Sequence, residues 1–212
     1  MILGITGGIG SGKSYVCRLL EIAGIPVFYC DNEAKRLMIE DETVKSAITD
    51  LFGKEAYIEV VSLDDAKEKK NKTESTSSAH YTLDKKFIAK KIFSDNTLRD
   101  KLDSIVHPAV IKSFSEWEES QNSDFMAVES ALIYETGFDR NVDKVALVVA
   151  PEEERIERIK KRDGLSDPEI QSRMSSQISD SEKLRRADFI IKNGKRDDLN
   201  PQIFSLLKNI GY

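Results

Sequence analysis

Residues 2–14 read Ile2-Leu3-Gly4-Ile5-Thr6-Gly7-Gly8-Ile9-Gly10-Ser11-Gly12-Lys13-Ser14. The first five form a short apolar run of strand length, and the last eight satisfy G-x-x-x-x-G-K-[ST] in full. Average residue usage makes a chance match in such a chain on the order of one in a hundred, so the match is taken as a phosphate-binding loop. Helical spacing follows at once in Val16, Leu19, Leu20 and Ala23. The glycines let the backbone bend so that successive N–H groups face phosphate oxygens, and the helix start adds partial positive charge. Lys13 can reach β- and γ-phosphates, and the Ser14 hydroxyl can ligate Mg²⁺. Gly8, Gly10, Ser11, Gly12, Lys13, Ser14 and the adjoining Tyr15 are the expected ATP-binding set.

Four further apolar runs, 26–30, 125–129, 144–150 and 188–192, resemble strands buried on both faces. Helical stretches at about 12–23, 33–52, 84–121, 152–186 and 196–209 alternate with them. This predicts an α/β domain spanning 1–212, with a five-stranded parallel sheet flanked by helices. The connection over 31–124 is too long for one crossover helix, which predicts a helical subdomain over 32–122. The polar, Ser/Thr-rich stretch 64–82 lacks apolar period and is expected to be a mobile surface insertion.

The 212 residues carry 32 Lys+Arg against 37 Asp+Glu, a net charge of −5 that argues against a dedicated nucleic-acid binder. No run approaches bilayer-spanning length, and the N-terminus lacks the basic and apolar regions of a signal peptide. Cys17 and Cys30 have no metal-type spacing. A soluble, cytoplasmic protein without membrane or nucleic-acid partners is expected.

A phosphate loop alone does not separate a GTPase, a motor and a small-molecule kinase. The two GTPase-like strings are misplaced: Asn71-Lys72-Thr73-Glu74 ends in Glu inside the polar stretch, and Asp50-Leu51-Phe52-Gly53 closes a helical segment. Asp31, expected at the carboxyl end of the second strand, would face the phosphate loop. There it would either accept the proton of an acceptor hydroxyl or N-cap the following helix. Glu129 ends the third strand and would either hold Mg²⁺ through its water or cap and pair structurally. His107-Pro108 is expected to interrupt the helical region. Residues 155–162 hold five basic side chains and one acid. One or two of Arg155, Arg158 and Arg162 are expected to touch phosphate, with the rest on a solvated helix face.

Taken in order, these blocks resemble dephospho-CoA kinases over nearly the whole length. The resemblance is carried by ILGITGGIGSGKS, GIPVFYCDNEAKRL, LDKKFIAKKIFSDNTLRDKLDSIVHPAV, ESALIYETGF, ERIKKRDGLSDPEIQSRMSSQ and RRADFIIKNG. It implies a P-loop kinase fold with a helical acceptor-binding subdomain and a lid at 152–186. It also implies transfer from ATP to the 3′-hydroxyl of dephospho-CoA, the final step of CoA biosynthesis, with Mg²⁺ accompanying ATP. The implied catalytic residues are Lys13, Asp31, Arg158 and Arg162, with Asp31 as base. Asp31, Lys35, His107 and Glu135 would meet the acceptor, Ser14 and Glu129 the metal, and Arg173 and Gln177 would lie on the next lid helix. Where the family usually has Asp-Ala-Asp, this chain has Tyr29-Cys30-Asp31, and Lys35 replaces the usual arginine.

Overall fold

The computed structural model describes residues 1–60 and 80–212. It divides into two compact units, one of Met1–Asp31 with Phe114–Tyr212, the other of Asn32–Ser113.

The first unit is built on the expected parallel sheet, formed by β1 (Ile2–Thr6), β2 (Val27–Tyr29), β5 (Met126–Glu129), β6 (Lys144–Val149) and β7 (Phe189–Lys192). Their order is β2-β5-β1-β6-β7, and every pairing is parallel. Ile5 pairs with Glu129, Tyr29 with Glu129, and Thr6 with Leu147. This register aligns the carboxyl ends of the three strands β1, β2 and β5. The phosphate loop, Asp31 and Glu129 therefore leave the sheet at one edge, where ligands of open parallel sheets bind. Helix α1 (Lys13–Ile22) buries Val16, Cys17 and Leu20 against Leu3, Ile5, Ala127 and Val148 of the sheet. The C-terminal helix, Leu199–Ile210, adds Leu199, Ile203 and Leu206 to the same core. Each fully buried aliphatic side chain there contributes about 1.5–3 kcal/mol.

The stretch expected to be helical, 152–186, holds three helices: α6 (Glu152–Asp163), α7 (Asp167–Ser175) and α8 (Asp180–Arg186). Gly164 ends α6 at φ 66, and Glu169 accepts the Ser166 N–H at 2.8 Å to start α7. Three glutamates open α6 and Lys160, Lys161 and Arg162 close it, charges placed to complement the helix dipole. That arrangement accounts for part of the basic cluster without any ligand.

The second unit has its own core of Val44, Ile48, Phe52, Ala56, Leu83 and Ile88. The helical stretch expected at 33–52 holds two helices, α2 (Cys30–Glu40) and α3 (Glu42–Phe52), divided where Asp41 caps α3 through the Val44 N–H at 2.9 Å. The second strand accordingly ends at Tyr29, and Asp31 sits in the first turn of α2 and is not its N-cap. A feature not expected from sequence is the antiparallel pair β3 (Tyr57–Val60) and β4 (His80–Leu83). It claims residues 80–82 of the stretch assigned to a surface insertion; 64–79 lie outside the described residues. The helical stretch expected at 84–121 holds α4 (Lys85–Ser94) and α5 (Asn96–Ser120). His107-Pro108 does not interrupt α5: the 25-residue helix runs through Pro108, which lacks the N–H that would donate to the carbonyl of residue 104.

Candidate active site

Gly12 precedes α1 with φ 95, a left-handed conformation that lets the chain turn from the loop straight into the helix. Ser11 N–H closes the loop onto Gly8 O at 3.1 Å, and the Tyr15 and Val16 N–H groups converge on Gly12 O at 3.0 and 3.3 Å. Tyr15 itself is exposed, as is Ser14 at the open end of the helix. The Ser11 hydroxyl is buried with no hydrogen-bond partner.

Lys13 is nearly buried, and its Nζ donates to Gly7 O at 3.1 Å while standing 3.8 Å from Glu129 Oε1. Burial pulls its ammonium below the usual lysine range; Glu129 and then Asp31 oppose that pull. Two carboxylates thus share the electrostatic environment of one lysine at the mouth of the loop. Asp31 is exposed, with its acidic side chain in the first turn of α2, where the helix dipole also favours negative charge.

A cavity of about 150 Å³ opens beside the loop, lined by Gly10, Gly12, Lys13 and Ser14 together with Arg158 and Arg162. Arg158 is half-buried against the loop. Its Nη1 donates to Gly10 O and Ser11 O at 3.3 and 3.4 Å, and its Nη2 to Asn193 O at 2.7 Å. Asn193 returns the contact by donating Nδ2 to Ser11 O at 2.8 Å. Arg155, only 4% exposed, donates Nε to Ile9 O at 2.9 Å and pairs through Nη1 with Asp180 at 2.7 Å. Arg155 is therefore engaged with backbone and a carboxylate in the interior and does not lie on a solvated helix face. Arg162 bonds the adjacent Asp163 at 2.8 Å from the cavity rim. Cationic donors from Lys13, Arg155 and Arg158 thus occupy the loop carbonyls of Gly7, Ile9, Gly10 and Ser11.

The remaining expected residues are placed as follows. Glu135 Oε1 accepts the Ile178 N–H at 2.9 Å and lies 3.6 Å from Nζ of the wholly buried Lys183. Gln177 lies beyond the end of α7, not on it, and its Oε1 accepts the Ile9 N–H at 3.0 Å. Arg173 is exposed on α7. In the second unit, Lys35 is exposed on α2, and His107 Nε2 lies 3.7 Å from Asp103 one turn earlier on α5. Sequence reasoning missed Asn193 and Lys183. Asn193 was findable, because it directly follows a strand at the ligand-binding edge; Lys183 gave no signal, since a lysine in a charged helix ordinarily faces water.

The dephospho-CoA kinase family model matches residues 1–198. The chain belongs to the dephospho-CoA kinase family. It is 37% identical to the dephospho-CoA kinase of Bacteroides fragilis over 97% of this chain and 90% of that protein. It is 39% identical to the one from Salinibacter ruber over 93% and 91%. The crystallised dephospho-CoA kinase from Campylobacter jejuni aligns with a TM-score of 0.62 at 26% identity, covering 99% of this chain and 96% of that one. As a member of this kinase family the chain is an enzyme with a P-loop kinase fold. No helix among the described residues is long and apolar enough to cross a membrane.

Proposed function

We propose that this chain, in the cytoplasm, transfers the γ-phosphoryl group of ATP to the 3′-hydroxyl of dephospho-CoA, giving CoA and ADP. The observation that carries this reading is Lys13 set between a complete phosphate loop and Glu129, 3.8 Å away, with Asp31 in electrostatic reach. Membership of the family, matched over residues 1–198, names the acceptor.

In the reading, ATP phosphates occupy the loop and draw the Lys13 ammonium from Gly7 O onto the β- and γ-oxygens. Asp31 accepts the proton of the 3′-hydroxyl as its oxygen bonds to the γ-phosphorus and the bond to the bridging oxygen of ADP breaks. Arg158 and Arg162, at the cavity wall, neutralise charge on the transferring group once the lid within 152–186 closes and excludes water. Lys35, His107 and Glu135 are the proposed acceptor-side residues, with the 32–122 segment supplying the CoA-binding surface. Tyr15 lies beside the nucleotide as the residue after Ser14.

Mg²⁺ fits the residues present. The Ser14 hydroxyl and the Glu129 carboxylate are hard oxygen donors, and no group of three or more His, Cys, Asp or Glu among the described residues gathers into an all-protein site. That combination suits an ion carried largely by phosphates and water. When bound, it offsets negative charge on the β- and γ-oxygens.

The test is an acceptor panel with ATP and Mg²⁺: dephospho-CoA, AMP, dTMP and adenosine. CoA formation exceeding turnover of the other acceptors is expected. Brisk phosphorylation of another acceptor without CoA would overturn the assignment.

A further inference from the structure

Ile9, inside the phosphate loop, is held at both of its polar backbone atoms. Its N–H donates to Gln177 Oε1 at 3.0 Å and its C=O accepts from Arg155 Nε at 2.9 Å. Both partners come from the segment after β6, with Arg155 lying 146 and Gln177 lying 168 residues along the chain from Ile9. The Gln177 amide also reaches toward Ala131 O at 3.5 Å, just past the end of β5.

The groups behind these two side chains form a closed set. Arg155 pairs with Asp180 at the start of α8. The residue next to Gln177, Ile178, donates its N–H to Glu135, whose carboxylate faces buried Lys183. The segment 177–183 is thus tied at Gln177, Ile178, Asp180 and Lys183. Two cations are taken almost wholly out of water to do it: Arg155 bonds Asp180 at 2.7 Å, and Lys183 faces Glu135 at 3.6 Å. Gly8 is part of the same design: a Cβ there would fall 2.5 Å from the Arg155 guanidinium carbon, so only glycine admits that side chain beneath the loop.

We propose that Gln177 and Arg155 are positioning residues for nucleotide binding, which lock Ile9 from both sides and so hold the phosphate loop preformed for ATP. The proposal rests on the reading of 7–14 as the ATP phosphate site. A loop already in its bound shape loses less conformational freedom on binding, so releasing the clamp weakens nucleotide affinity without touching the nucleotide's own contacts. The 177–183 segment then sets ATP affinity through a backbone it grips, and neither side chain needs to meet a phosphate.

The experiment titrates the full-length protein with Mg²⁺–AMP-PNP and, separately, with dephospho-CoA, for wild type, Gln177→Ala and the volume-matched Gln177→Met. Both variants are expected to raise the AMP-PNP Kd about tenfold, the worth of one well-formed hydrogen bond, while the dephospho-CoA Kd stays within about twofold. The Ile9 amide should exchange faster with solvent in both variants. An AMP-PNP Kd within about twofold of wild type, or equal weakening of both ligands, overturns the proposal. If the wild type binds AMP-PNP but not dephospho-CoA, the acceptor assignment fails by itself. The clamp is then decided by whether the tenfold nucleotide effect and the Ile9 exchange change together.

Discussion

Lys13 Nζ stands 3.8 Å from Glu129 Oε1, and the two side chains are among the most buried charges at the sheet edge. The pair crosses from the helix after β1 to the end of β5, so the sheet register, not local sequence, brings it together. Within the proposed mechanism Glu129 has two tasks, holding Lys13 ready and receiving the water shell of the metal. Glu129→Gln removes the charge and keeps the shape. The Mg²⁺ concentration for half-maximal rate should rise roughly 10–100-fold. A Mg²⁺ titration matching wild type would confine Glu129 to pairing with Lys13.

Asp31 is tested by Asp31→Asn, which keeps the first turn of α2 intact. The kcat should fall roughly 10²–10⁴-fold while AMP-PNP affinity is retained. Steady-state kinetics separate this from positioning: an unchanged kcat with a raised acceptor KM would show that Asp31 orients the hydroxyl and takes no proton.

Gly12 combines a left-handed backbone with the closely packed Asn193 side chain. Gly12→Ala should cost about 1–2 kcal/mol in urea unfolding from the backbone alone. It should also lower nucleotide affinity, because Asn193 must leave Ser11 O to make room. Asn193→Ala separates the two effects: the affinity loss should persist, and the backbone cost should vanish.

The loop and its strand–helix setting were legible because glycine, lysine and serine at fixed spacing have few other uses. The five parallel strands were legible to within a residue or two as apolar runs. The pair β3–β4 was not: Tyr57–Val60 and His80–Leu83 are short, and the second merges in composition with the polar stretch before it. Pro108 misled because proline usually marks a helix boundary, whereas α5 simply forgoes one hydrogen bond. In the basic cluster, sequence showed that arginines gather but not what they touch. Arg155 is buried on Ile9 O and Asp180, while Arg158 grips Gly10, Ser11 and Asn193, partners 35 to 148 residues away that no local pattern records.

Lys183 gives a pH signature. Burial holds its ammonium below 10.5, with Glu135 and Asp180 opposing and Arg155 adding to the depression; the unfolded chain titrates at 10.5. Between the folded value and 10.5 the unfolded state binds more protons, so stability contributed by this group rises with pH across that window. Urea midpoints of wild type relative to Lys183→Met should therefore climb with pH on the alkaline side, below 10.5. A relative decline would mean that the Glu135 pairing outweighs desolvation.

The central claim is that this site moves the γ-phosphoryl group of ATP onto one particular hydroxyl. Phosphorus NMR of a reaction containing the enzyme, Mg²⁺, ATP and dephospho-CoA observes that transfer directly. A single new phosphomonoester at the ribose 3′ position should grow in step with ADP, with little free phosphate. Release of free phosphate from ATP at the same rate with and without dephospho-CoA, and no new ester, would contradict it.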